Sequence, residues 1–208
     1  VAKCESVVEK ENKSLLEKIA DVITQRGHAA MFARDNKLIT KELIEKTVAA
    51  EWANSMREKF HIEISDVQHA NAAHPDCFAY YCGERMNLEL TELVKGNILA
   101  KYSGHKGHTP TQTRSSYFDE AQWSFEEFAT KIEEMLTTKD EKYFNADMKI
   151  DALIIYTDED WLPPQTIQEW LEKISVAPRN NVRNAYLLRT YFPGYGSCWP
   201  VFRLYGTL

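Results

Sequence analysis

Cysteine is scarce in this chain of 208 residues: Cys4, Cys77, Cys82 and Cys198 are its four. They are irregularly spaced, which excludes a disulfide framework as the organising device. No apolar run approaches the ~20 residues of a membrane-spanning helix. The opening stretch VAKCESVVEKENKS is charged and carries no apolar core of signal-peptide type. The expectation is therefore a soluble, cytoplasmic protein with no membrane partner. Glycine is sparse too, at eight residues. There is no glycine-rich phosphate-binding motif, no Gly-x-Ser-x-Gly, no internal repeat and no low-complexity tract, so the nucleotide-binding and hydrolase classes built on those motifs fall away. Positive charge is in the minority: 25 Lys and Arg stand against 31 Asp and Glu, a formal net charge of −6. A surface that grips nucleic acid all over is excluded; a local basic patch is not.

What is present suffices for a core. Apolar residues make up 44% and charged residues 27%, which fits one good-sized domain, or one domain with an appendage. Residues 5–26 carry apolar positions at helical period, and Gly27 is placed to end that helix. HAAMFARDNK follows as a short strand or loop. A second helix begins with Thr40 as N-cap and Glu42 in its first turn, where the helix dipole favours an acid. Ile44, Val48, Trp52 and Met56 then form its buried stripe, flanked by Glu45 and Glu51. HIEISDVQ alternates as a strand.

After residue 93 a long segment rich in Gly, Ser and Thr reads as a loop. Lys95, Lys101, His105, Lys106, His108 and Arg114 make it the most basic part of the chain, either a phosphate-contacting loop or a disordered surface loop. A third helix starts at Ser124, with the stripe Phe125, Phe128, Ile132 and Met135. One turn further the stripe reaches Lys139, where an apolar residue is expected. Lys131 and Lys142 flank the line. The apolar run Ile150–Tyr156 suits a strand covered on both faces. A fourth helix over about Gln165–Ile174 and two strands around FPGYGSC complete the chain. The aromatic density of that last part reads as packed core or as a base-stacking surface.

The stretch HPDCFAYYCGERMNLELTEL, from His74 to Leu93, reads as a β-hairpin turning at Gly83-Glu84. That turn pairs Phe78 with Glu89 and Asp76 with Thr91. Alternation then puts Asp76, Glu89 and Thr91 on one face, and Cys77, Ala79, Tyr81, Met86, Leu88 and Leu90 on an apolar other face. Two acids on neighbouring strands suit a hard divalent cation such as Mg²⁺, which takes oxygen ligands. The alternative is that Asp76 caps the strand start and Glu89 is a polar residue on a wet face. His69, His74, Cys77 and Cys82 also cluster in sequence, but there is no C-x-x-C, and parity sends the two cysteines to opposite faces, against a zinc site.

The order helix, strand, hairpin, helix, strand, with Pro75-Asp76 opening one hairpin strand and Glu89 on the next, resembles the PD-(D/E)xK nuclease superfamily over about residues 40–156. The resemblance implies an α/β, restriction-endonuclease-like core at 40–160. An N-terminal helical extension at 1–39 would precede it, and a C-terminal helix and β-hairpin at 161–208 would pack on it. It implies Asp76 and Glu89 as ligands of Mg²⁺ or Mn²⁺, joined by a glutamate of the first core helix, Glu51 in preference to Glu45. The superfamily's lysine two residues beyond the Glu is here Thr91, a departure. Members with Glu-x-Thr carry a K-x-x-K-Y pattern on the following helix, matched by Lys139, Lys142 and Tyr143. Lys139 is thus the expected substitute, ahead of Lys131 and Lys95. The implied activity is metal-dependent cleavage of phosphodiesters in DNA, with Asp76, Glu89, Thr91 and Lys139 at the site and a homodimer left open. The competing expectation is a silent nuclease-like fold that binds nucleic acid or protein. RNA as the substrate of the same site is a third reading.

Overall fold

The computed structural model describes residues 41–70, 74–95, 122–159, 162–190 and 192–208. The expected helix over 5–26, the HAAMFARDNK segment and most of the basic loop lie outside them. Glu45–Leu208 forms one compact unit. In chain order the described elements are α1 (Lys41–Phe60), β1 (Ile64–His69), β2 (Cys77–Tyr81), β3 (Glu84–Glu92), α2 (Phe125–Asn145), β4 (Ala152–Thr157), α3 (Pro164–Leu171), β5 (Ala185–Arg189) and β6 (Val201–Tyr205). The result is a mixed α/β fold.

The six strands form one sheet in the order β1-β2-β3-β4-β5-β6. β1, β2 and β3 make an antiparallel meander, β3, β4 and β5 run parallel, and β6 returns antiparallel to β5. α2 is the crossover that a parallel β3–β4 pair requires. Register fixes the two faces. Glu89 sits beside Leu153, and Leu153 beside Ala185; Leu153, Ile155, Ala185 and Leu187 share a buried cluster with Phe128, Ile132 and Leu136 of α2 and Ile167 of α3. The opposite face carries α1. Its Trp52 ring lies 5.4 Å from that of Tyr186, and Phe60 lies under the Arg203 guanidinium at 4.7 Å. Of the α1 stripe, Val48, Trp52 and Met56 are fully buried and Ile44 is partly buried. Truncating such a Trp to Ala costs about 3–5 kcal/mol. All six residues of β4 are buried, because helices cover both of its faces.

The hairpin differs from the sequence expectation in one respect. Tyr81 pairs with Glu84, so the two-residue turn is Cys82-Gly83, not Gly83-Glu84. Both turn residues have positive φ, 51° and 82°, as a type I′ turn demands. The move shifts every pairing by two residues and so preserves which residues share a face. Met86, Leu88, Leu90, Cys77 and Ala79 are buried as the alternation requires, whereas Tyr81, at the turn end of the same face, is only partly buried. Continuing the Cys77–Leu88 pairing by one residue sets Asp76 opposite Glu89, where the expected turn set it opposite Thr91.

β1 is interrupted. Ile64 and Ser65 pair with Tyr81 and Tyr80, but Gln68 and His69 pair with Phe78 and Cys77, one residue out of step. The extra residue is a β-bulge, with Asp66 at φ 51°.

α2 is fixed at its start by a complete capping box. The Ser124 hydroxyl accepts from Glu127 N at 3.1 Å, and the Glu127 carboxylate accepts from Ser124 N at 2.9 Å. Glu127 is held below the usual carboxylate range by Ser124 N–H first and Lys95 second. α3 has Pro164 in its first turn, where a missing N–H costs nothing.

Candidate metal and phosphate site

The hairpin and α2 meet around Glu89. Glu89 is 1% exposed and projects from β3 towards α2. On α2, residues 139, 142 and 143 share one face by helical geometry, and all three reach it. Lys139 Nζ donates to Glu89 Oε1 at 2.7 Å and Lys142 Nζ to the same oxygen at 2.9 Å. The Tyr143 hydroxyl lies against the carboxylate without completing a well-formed hydrogen bond; Tyr143 Oη and Glu89 Oε2 are both buried and unbonded. Burial alone would raise the Glu89 carboxyl. The Lys139 charge, with the contacts from Lys139, Tyr143 and Lys142, overcomes that and lowers it to about 2. The Tyr143 phenol moves the other way, raised by burial first and by Glu89 second.

Asp76 stands across from Glu89, buried, and its Oδ2 accepts from Leu90 N at 2.9 Å. Its carbonyl accepts from Ala70 N at 3.0 Å, which ties the segment before β2 to the end of β1. His74 lies just before, joined to Pro75 by a cis peptide bond. Its ring meets that of Tyr143 edge-on at 6.0 Å. His74, Asp76 and Glu89 together offer three donor atoms within 4.8 Å of one another. One imidazole and two carboxylates at that spacing can hold a divalent ion. The buried, unbonded Glu89 Oε2 is a donor still without a partner.

The remaining candidates fall as follows. Thr91 lines a cavity of about 350 Å³ with Lys139, Lys131, Glu134 and Thr138, so it faces the same side as Glu89. Lys131 pairs with Glu134 at 3.2 Å. Lys95 bonds Gln122 O and Glu127 and lies over the Trp123 ring. Of the three lysines weighed from sequence, Lys139 is the one that touches Glu89. Glu51 is outside the three-donor group; burial raises its carboxyl. The α1 glutamate that points to this end of the hairpin is Glu45, buried, with Oε2 3.1 Å from His69 Nε2. The Cys77 thiol is pushed up to about 12 by burial first, then by Glu45 and Asp76.

Sequence reasoning weighs His74 only within a His/Cys zinc cluster that parity disfavours, and gives Lys142 and Tyr143 no role beyond the pattern. The signal for the last two was the 139, 142, 143 spacing itself. For His74 it was adjacency to Pro75-Asp76.

A second polar cluster sits at the carboxyl ends of β4 and β5. Asp158 is buried, and its Oδ2 has no hydrogen-bond partner. Burial first and the Glu92 charge second push its carboxyl up to about 7, against the pull of Arg189. The buried Arg189 donates to Leu162 O, Thr157 O and Thr190 Oγ1. Asp158, just past the end of β4, lies five residue steps beyond Leu153, the neighbour of Glu89, or about 16 Å along an extended chain. The two clusters are therefore distinct. Among the described residues no helix is long and apolar enough to cross a membrane. In comparisons with known proteins, no family model, no curated protein and no solved structure matches this chain.

Proposed function

We propose that this chain is a metal-dependent nuclease that hydrolyses phosphodiesters in DNA, with a restriction-endonuclease-like core. The carrying observation is the meeting of a lysine from α2 with an acid of β3, Lys139 on Glu89 at 2.7 Å, beside Asp76. The order α1, meander, crossover helix, parallel strand supports the same reading.

In that reading Asp76 and Glu89 hold a divalent cation, Mg²⁺ or Mn²⁺. When bound, the cation supplies positive charge against the developing phosphoryl charge and makes a water more acidic. Lys139 holds a non-bridging phosphate oxygen or the attacking water in line. The water oxygen bonds to phosphorus, the opposite P–O bond breaks, and the water's proton passes to solvent while the leaving alkoxide gains one. Thr91, in the wall of the adjoining cavity, serves as a hydrogen-bonding group in place of a second cation.

The competing reading is a catalytically silent fold that binds nucleic acid or protein. The observation in its favour is the double neutralisation of Glu89 by Lys139 and Lys142. Incubation of purified chain with supercoiled plasmid separates the two. The nuclease reading requires nicking with Mg²⁺ or Mn²⁺, none with a chelator, and its loss in Asp76→Asn and Glu89→Gln. Nicking that survives in both variants ends the site assignment; DNA left intact with either ion favours the silent module. A parallel RNA substrate tests the choice of nucleic acid.

A further inference from the structure

Lys142 Nζ lies 2.9 Å from Glu89 Oε1 and 3.1 Å from His74 Nδ1. Both residues belong to the three-donor group with Asp76. An ammonium at those distances stands where an ion coordinated by His74 and Glu89 would stand. Divalent ions of this class sit about 2.0–2.2 Å from oxygen and nitrogen ligands, which leaves no room for Nζ between the same two side chains. Lys139 differs. It touches Glu89 alone, and its side chain is 18% exposed against 32% for Lys142. Lys142 is therefore at the solvent edge of the group and is the one with a route out.

We propose that Lys142 is a tethered stand-in cation: its ammonium bridges His74 and Glu89 until a first-row transition ion, bound by His74, Asp76 and Glu89, displaces it into solvent. This rests on the metal site of the nuclease reading but not on cleavage. The choice of ion follows from the donors. Mg²⁺ takes oxygen and sheds water reluctantly, whereas first-row transition ions accept an imidazole nitrogen. The buried, unbonded Glu89 Oε2 gives the incoming ion a donor that neither lysine uses. The bridge also explains why two lysines share one oxygen of Glu89. Lys139 stays to meet the phosphate, and Lys142 bridges His74 and Glu89 while no ion is bound. Packing over the Tyr143 ring, 4.9 Å from Nζ to its centre, steadies that resting position.

Two measurements on the full chain test this without reference to activity. In the first, lysines of the wild-type protein are acetylated with an N-hydroxysuccinimide ester, with and without saturating Mn²⁺, and read peptide by peptide. Labelling of Lys142 should rise severalfold with Mn²⁺ while that of Lys139 stays level. In the second, calorimetry follows Mn²⁺ and Mg²⁺ binding to wild type, Lys142→Met and His74→Ala. Lys142→Met should bind Mn²⁺ roughly tenfold more tightly, since the ion no longer breaks a charge-assisted hydrogen bond. His74→Ala should lose the preference for Mn²⁺ over Mg²⁺. Unchanged Lys142 labelling, or equal or weaker Mn²⁺ binding by Lys142→Met, overturns the stand-in role. A chain that nicks DNA but shows no response at Lys142 retains the nuclease reading and loses this one. A chain whose Lys142 is released by Mn²⁺ without cleaving DNA does the reverse.

Discussion

Lys139 and Glu89 are fifty residues apart in sequence and 2.7 Å apart in space. The pair joins the crossover helix to the central hairpin strand, and its lysine interrupts an otherwise apolar stripe. A lysine costs stability in such a line unless it finds an acid. Glu89, buried on the facing strand, is that acid.

Lys139→Ala should separate binding from turnover. With Asp76 and Glu89 intact, divalent affinity by calorimetry should be retained or rise, because a competing positive charge is gone. DNA nicking should fall by about a hundredfold or more, as expected when one preorganised charge contact to the transition state is removed. Full nicking by Lys139→Ala would move the role to another lysine.

The lowered Glu89 carboxyl predicts an acid-side signature in metal-free protein. Its folded value of about 2 lies below the ordinary carboxyl value of 4.5. The stabilisation is therefore complete above about pH 5 and is lost as pH falls from about 4.5 towards 2. Urea unfolding of Glu89→Gln in chelator should show a weaker loss over that range than wild type. Equal slopes would mean that the lysines contribute little to folding.

Asp158 predicts the opposite sign. Its folded value is pushed up to about 7 from 3.8, so the folded chain keeps a proton that the unfolded chain gives up. Stability falls as pH rises between about 4 and 7, then levels. Asp158→Asn should flatten that fall and stabilise the protein at pH 8, by on the order of 1–4 kcal/mol. A melting temperature for Asp158→Asn that follows wild type across pH 4–8 would contradict the burial of a neutral acid there.

Ser124→Ala removes one half of the capping box at the start of α2 and should lower stability by about 1 kcal/mol. Since α2 carries Lys139 and Lys142, looser ends should also appear as faster hydrogen exchange in its first turn. Ser124→Asp should restore both.

Much of this geometry is legible in the sequence. Period-two alternation placed Asp76 and Glu89 on one face, and helical period exposed Lys139 as the odd member of a stripe. Both are local rules that survive a small error in register. The turn itself was not legible, because Cys82 adopts positive φ, a conformation rarely taken by a residue other than Gly, Asn or Asp. Placing the turn at Gly83-Glu84 displaced the pairing by two residues and left the faces unharmed. The α1 glutamate was harder still. Glu45 and Glu51 flank the same stripe, and which flank turns to the hairpin depends on how α1 lies across the sheet, a tertiary matter that no period encodes. His74 belongs in sequence to a cysteine–histidine cluster, but in space its ring nitrogen meets Lys142, and its nearby metal-type donors are the carboxylates of Asp76 and Glu89.

The bulge in β1 carries a consequence for life in a crowded solution. Among the described residues β1 is an outer strand of the sheet, and a straight outer strand offers its open N–H and C=O groups to any passing chain. With an extra residue at Asp66 in a left-handed conformation, and with Ser65 and Asp66 exposed, this border is kinked and bears a charge. A second chain would find no even ladder to extend. The irregular strand thus shields the acid-bearing hairpin behind it from being drawn into fibrous self-assembly.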